Sequence, residues 1–279
     1  MKLCIIGSAK RTQSDLQFLT TAKDKFDSVL YVPYSNISLS IKDQTKMMYK
    51  IIDLSDFDII FPRIPRERNL FGYLLFSSLE RECPFSPQSF LLTSDRFLMM
   101  DALKRAGLPV PELHFVDSVK TASDLIDSLR YPISMRIPGA DRSITLAGSP
   151  KEARTVLDTL RSFKKPVYIE ELFDKKYYQC FVIGGNVEAV LEKIPKEKTD
   201  IIFGKGKAKK VKLPAEMNKY AVKAAAAVKA EIAMITLAKK PKKAVFEINL
   251  CPPLLEAMKI TDIKIDEKII DHIKSVCTR

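Results

Sequence analysis

The stretch AVFEINLCPPLLEAMKITDIKI, residues 244–265, decides how this chain is read. Apolar and polar residues alternate from Ala244 to Leu250, the pattern of a β-strand, and side chains two apart on a strand share a face. Glu247 and Asn249 therefore stand together, a carboxylate and an amide carbonyl aimed at one point. Two hard oxygen ligands so placed suit Mg²⁺, or Mn²⁺ in its place, held jointly with phosphates. An exposed strand face would show the same alternation with no ion, so the pair decides nothing alone. Pro252 and Pro253 stop the strand, and Asp266–Val276 reads as a terminal helix.

Working back from this stretch, Lys219–Ala230 is an alanine-rich helical run, and QCFVIGGNVEAV (179–190) reads as two strands joined at Gly184-Gly185-Asn186. KPVYIEELF (165–173) is a further strand. Ser149–Leu160 is a capped amphipathic helix, ITLA (144–147) a return strand and YPISMRI (131–137) another strand. In TSDRFLMMDALKRAGLPVP (93–111), Ser94 is expected to cap a helix that Gly107 ends. The first residues, KLCIIG, form a strand ending at Gly7, followed by a helical pattern from Asp15 to Phe26. Strands at Ser28–Val32 and Asp56–Phe61, the latter closed by Pro62, complete a parallel α/β unit with ligands expected at the carboxyl edge.

The order of these segments resembles that of the RimK-type ATP-grasp ligases. The resemblance rests on Glu-x-Asn at 247–249 followed by proline and a leucine-rich helix start, on FPRIP (61–65), DRFLMMDALKRAGLPVP, PISMRI, PVYIEELF and QCFVIGGNVEAVLEKI, and runs from about residue 56 to 272. It implies an α/β protein with α+β lobes: an N-terminal parallel α/β lobe over 1–88, a central ATP-grasp lobe over 89–168 and a C-terminal ATP-grasp lobe over 169–279. It also implies ATP clamped between the later lobes, a carboxylate activated as an acyl phosphate, and an amine such as an amino acid displacing phosphate to form an amide.

Carried over position by position, the resemblance puts the phosphate-binding cations at Arg96 and Arg136. The adenine hinge falls at Glu171 and Leu172 with Glu170 beside them, and metal ligation at Glu247 and Asn249. Arg136 and Lys193 are the catalytic candidates, Lys205 and Lys207 further ATP contacts, Asp174 a shifted partner for ribose, and Arg63 and Arg66 contacts for an anionic substrate.

Several positions depart from the family pattern. Arginines stand where lysines are expected, which exchanges a compact ammonium for a planar fork. The loop after Arg136 keeps a single glycine, Gly139. Met234 stands where the first metal-binding aspartate falls, Tyr177 where a ribose carboxylate falls, and Ile201–Phe203 where polar phosphate contacts fall. Two readings stay open, an active ligase and a non-catalytic relative acting as a nucleotide- or partner-binding module.

Composition bounds the rest. At 279 residues with 46% hydrophobic content the chain buries a substantial core, and no run of 18 apolar residues suggests a membrane span. Five cysteines without CxxC spacing point to reduced, packed thiols and a cytoplasmic setting. His114 and His272 are too few for a histidine metal centre. The net charge of +12 gathers in lysine runs at 193–212 and 239–243. Those runs read as solvated loop edges, as nucleotide-phosphate contacts or as a polyanion surface. No base-reading motif accompanies the nucleic-acid option.

Overall fold

The computed structural model describes residues 1–43, 45–79, 85–138, 144–162, 164–172, 176–197, 205–239 and 243–277. Strand β1 (Lys2–Gly7) lies between β2 (Ser28–Pro33) and β6 (Ile59–Pro62), all parallel. From Leu3 to Ile6 β1 is buried on both faces, the signature of a central parallel strand. Helix Gln13–Lys23 starts earlier than expected because Thr12 and Asp15 form a reciprocal capping box. Strand β6 starts later than expected, since Asp53 caps a short 3₁₀ turn at Leu54–Asp56. A small antiparallel sheet of β3 (Ile37–Ile41), β4 (Thr45–Tyr49) and β5 (Ile52–Asp53) fills a stretch in which no strands were expected.

The expected helix after residue 93 is two helices, Pro87–Ser94 and Arg96–Arg105. Ser94 is not the cap. Its hydroxyl donates back to Leu91 O at 2.7 Å, while Asp95, in extended conformation, accepts from Phe97 N and Leu98 N at 2.8 and 3.1 Å. A carboxylate at that position also complements the positive end of the helix dipole.

Strands β7 (Leu113–Val116), β8 (Ile133–Arg136), β9 (Ile144–Ala147) and β10 (Val167–Glu171) make an antiparallel sheet in the order β7-β10-β8-β9. Helices Val119–Ile126 and Pro150–Arg161 cover it, with a core of their own around Ile126, Met135, Leu157 and Ile169. A third sheet, β13-β12-β11-β14-β15, comprises β11 (Tyr177–Ile183), β12 (Asn186–Ile194), β13 (Lys207–Lys210), β14 (Ile232–Ala238) and β15 (Ala244–Asn249). Gly184 and Gly185 turn the β11–β12 hairpin at φ of +56° and +79°, where a Cβ would be strained. Cys4 and Cys180 are buried free thiols in β1 and β11, and burial pushes Cys4 up to about 12.

The first and last parts of the chain share one core. Helix Ile265–Cys277 packs on Gln13–Lys23, where Thr21 Oγ1 donates to the buried Asp266 Oδ2 at 2.7 Å. The two sheets that close on the site thus differ: the five-stranded one belongs to this large core, and the four-stranded one stands on its own smaller core. Among the described residues, no helix is long and apolar enough to cross a membrane.

Candidate functional site

Several elements bring charge to the junction of the two antiparallel sheets. Arg96 opens helix Arg96–Arg105. Arg136 ends β8 diagonally across from Glu170 on β10, because Arg136 pairs with Tyr168 and Glu170 with Ser134. Glu247 comes from β15. Arg96 is 3% exposed. Its guanidinium grips both oxygens of Glu170, Nε to Oε2 at 3.1 Å and Nη2 to Oε1. Its Nη1 reaches Phe246 O at 2.6 Å and Glu247 Oε2 at 3.2 Å. Arg136 Nη2 donates to Glu170 Oε2 at 3.2 Å, and Arg66 Nη1 to Glu247 Oε2 at 2.7 Å. The Phe246 ring lies 4.8 Å from the Arg96 guanidinium carbon, and the Tyr168 ring 5.8 Å from that of Arg136.

The result is a continuous chain of ion pairs, Arg66–Glu247–Arg96–Glu170–Arg136, buried at Arg96 and Glu170 and opening toward Arg66, whose side chain is 24% exposed. Burial pushes the Glu247 carboxyl up, but Arg66, Arg96 and Arg136 outweigh it and hold it below the ordinary range. Burial lowers Arg136, reinforced by Arg96 and opposed by Glu170. The Nε of Arg136 is buried with no acceptor among the described residues.

Arg66 also lines a cleft of about 720 Å³ at the carboxyl edge of the parallel sheet, together with Lys10, Asp15, Arg63, Asn249 and Glu256. Arg63 does not reach into it as an unengaged cation. It is 6% exposed, with Nε on Asp15 Oδ1 at 2.6 Å and Nη2 on Ser14 Oγ at 3.4 Å. Ser14 Oγ in turn accepts from Leu254 N at 3.2 Å, so this pair fastens the first lobe to the segment after β15. Asp15 is held below its ordinary value because Arg63 and Thr12 outweigh the opposing effect of burial. Lys10, Asp15 and Glu256 had not been singled out from sequence. The signal for Asp15 was its spacing of three from Thr12, which marks a capping box.

The other expected residues divide. Glu170 is the hub of the charge cluster, a role its place beside the hinge did not suggest. Glu171 N donates to Glu112 O at 3.0 Å and Leu172 N to Pro132 O at 3.3 Å, so both hinge amides are engaged within the protein. Leu172 joins Leu146, Tyr177, Ala238, Ala244 and Phe246 in a small apolar cluster between the two sheets. Tyr177 is fully buried and its hydroxyl donates to Lys205 O. Lys193 is 1% exposed and bonds both oxygens of Glu256 at 2.6 and 2.5 Å, next to the cleft. Lys207 is exposed on the edge strand β13. Asp174, the loop 139–143 and Ile201–Phe203 lie outside the described residues.

Whether these residues suit a divalent cation is a matter of open oxygens. Mg²⁺ requires near-octahedral oxygen donors. Glu247 Oε2 accepts from two guanidiniums and Oε1 from Ile248 N at 3.1 Å. Asn249 Oδ1 accepts from Cys251 N at 2.8 Å. In the β14–β15 register Met234 stands opposite Asn249, and Thr236 opposite Glu247. Among the described residues, no group of three or more His, Cys, Asp or Glu could hold a metal ion. As arranged, the residues do not fit Mg²⁺ or Mn²⁺.

Residues 93–273 match the model of the RimK-like ATP-grasp domain. The chain belongs to the RimK-like ATP-grasp family. A relative from a Picosynechococcus species named "Probable alpha-L-glutamate ligase" is 24% identical, over 98% of this chain and 95% of its own length. The RimK-like chain also superposes on the RimK domain ATP-grasp protein of Sphaerobacter thermophilus with a TM-score of 0.75 at 13% identity, covering 98% of this chain and 99% of that one. The ATP-grasp ligase PsnB, solved with a minimal precursor, Mg and ADP, gives a TM-score of 0.73 at 13% identity over 99% and 98%. These likenesses establish the ATP-grasp fold that the segment order implied. Membership places the chain among ligases that form amide bonds with ATP.

Proposed function

We propose that this protein joins a carboxylate to an amine at the expense of ATP, through an acyl phosphate. One observation carries the reading: Arg66 belongs at once to the 720 Å³ cleft and to the buried cluster through Glu247, so a carboxylate in the cleft lies beside cations suited to phosphate. A carboxylate oxygen attacks the γ-phosphorus and the bond to ADP breaks. The amine nitrogen then attacks the acyl carbon, phosphate leaves with its electron pair, and the amine gives up a proton to water. Arg96 and Arg136 meet the negative charge on the transferring phosphoryl group, where preorganised cations in a dry site are worth most. Lys193 acts through Glu256 at the cleft wall. The hinge at Glu171 and Leu172, with Glu170 beside it, is the place for the adenine ring. An amino acid is the amine, with glutamate the first to try given the name of the Picosynechococcus relative. The buried free thiols Cys4 and Cys180 support a reducing, cytoplasmic setting.

The test is ADP release from ATP with L-glutamate and a panel of peptides ending in free carboxylates, with mass spectrometry of the products. ADP appearing only when both carboxylate and amine are present, together with a condensed product, is the expected result. ATP binding without turnover across the panel would favour the second reading, a non-catalytic nucleotide- or partner-binding module. That reading draws on the engaged oxygens of Glu247 and Asn249 and the engaged amide of Leu172.

A further inference from the structure

The 720 Å³ cleft stands where the strand order of the parallel sheet reverses. Strand β1 lies between β2 and β6, so the chain leaves β1 for one side of the sheet and returns on the other, and the carboxyl ends of β1 and β6 border a crevice. Open α/β sheets take ligands at crevices of this kind. Lys10 follows β1 by three residues, and Glu67, in the 3₁₀ turn Arg66–Arg68, follows β6 by five. Both line the cleft.

Among the described residues, six charged side chains line it, three of each sign. Most are already matched. Arg63 donates to Asp15 at 2.6 Å, Arg66 donates to Glu247 at 2.7 Å, and Glu256 accepts from Lys193 on both oxygens. A ligand engages these groups only by sharing or displacing a partner. Lys10 and Glu67 differ: each is exposed, and neither has an ion-pair or hydrogen-bond partner among the described residues. One is an ammonium and the other a carboxylate, and they issue from neighbouring strands. The molecule complementary to both carries a carboxylate and an ammonium of its own, and a ligand bearing one sign of charge alone leaves either Lys10 or Glu67 without a counterpart.

We infer that the cleft takes its amine substrate as the zwitterion of a free amino acid, with Lys10 donating to its carboxylate and Glu67 accepting from its ammonium, and that these two residues set the specificity for it. The inference rests on the ligase reading for the role of the bound molecule as the amine, and not for the existence of the pocket.

Calorimetric titration of the full chain with L-alanine, L-glutamate and L-lysine, each with and without AMPPNP, tests this. The tightest of the three is then compared with its α-methyl ester, which lacks the carboxylate charge, and with its Nα-acetyl derivative, which lacks the ammonium. In the wild-type protein each derivative is expected to bind about tenfold more weakly than the parent amino acid, as for loss of one charge-assisted contact. Lys10→Ala is expected to weaken the parent by the same factor and to bind the ester no more weakly than the parent, while still discriminating against the acetyl derivative. Glu67→Gln is expected to show the reverse pattern, and Lys10→Arg, which keeps the charge, to retain both discriminations. A merely structural role would weaken parent and derivatives alike. Discrimination that is equal in the wild type, Lys10→Ala and Glu67→Gln overturns the inference, as does no binding of any of the three amino acids in either condition. ADP release judges the ligase reading separately. Turnover whose amino-acid KM is unchanged by both substitutions keeps that reading and overturns this inference, whereas the expected binding pattern without turnover upholds the pocket and retires the ligase reading.

Discussion

Two basic regions of this molecule carry the same sign of charge in opposite circumstances. At the edge strand Lys207–Lys210, lysines stand largely in water. Lys209 pairs with Glu192 at 3.1 Å with 62% of its side chain exposed, and Lys207 is exposed. At the sheet junction, Arg96 and Arg136 keep 2 and 11% of their side chains exposed and share Glu170. Water satisfies the lysines, whose high density on an edge also discourages another strand from pairing there. Nothing but protein or ligand satisfies the arginines, so each partner of theirs is informative in a way that the lysines' surroundings are not. The net charge of +12 draws attention to the wrong place. The cations that shape the site are few and buried.

The comparison is sharpened most by removing the hub. Glu170→Ala leaves two buried guanidiniums without their shared carboxylate and is expected to cost about 3–5 kcal/mol, read from urea unfolding. A cost under about 1 kcal/mol would mean that water reaches the arginines much as it reaches the lysines, and the contrast would dissolve.

Acid gives a smaller effect on the same side of the contrast. Glu247 and Asp15 are both held below their ordinary values of 4.5 and 3.8 by arginine partners. A carboxyl whose folded value is depressed contributes stability that is fully present above its unfolded value and is lost as pH falls through its folded one. The urea midpoint is therefore expected to hold steady down to about pH 5 and to fall progressively below about pH 4. In Asp15→Asn the starting stability is lower and the fall shallower. A wild-type profile no steeper than that of Asp15→Asn would show that the Arg63 pair contributes nothing.

The smallest effect is expected at the lysine edge. Lys207→Ala should leave ATP affinity within about twofold and the thermal midpoint within about 2 °C, as for surface substitutions generally. A loss of tenfold in ATP affinity would restore Lys207 as a nucleotide contact and place the two basic regions in one site.

The departures from expectation follow a physical pattern. Ser94 and Asp95 are both acceptable caps by residue type, and the choice between them fell to the backbone, which stops one helix at Ser94 and starts the next from an extended Asp95. Strand β3, ISLSI, alternates apolar and polar residues and was legible, whereas β4 and β5 carry little alternation because they lie at the surface, with Met47 the buried residue among them. Strand β13 reads as a lysine run and becomes a strand because β12 offers it an edge. Glycine turns and buried parallel strands are decided within a few residues of chain. They could be read directly.

By itself the sequence determined the order of segments, hence the family, and the local alternation that puts Glu247 and Asn249 on one face of β15. Only the tertiary structure decided what those side chains meet. Glu170 and Arg96 are 74 residues apart, and Arg66 and Glu247 are 181 apart. A charged side chain with several rotatable bonds has no partner written into its neighbours; burial selects one, because an unpaired charge away from water is too costly to persist. The same carboxylate that the strand pattern offers to a metal ion is, once folded, committed to arginine.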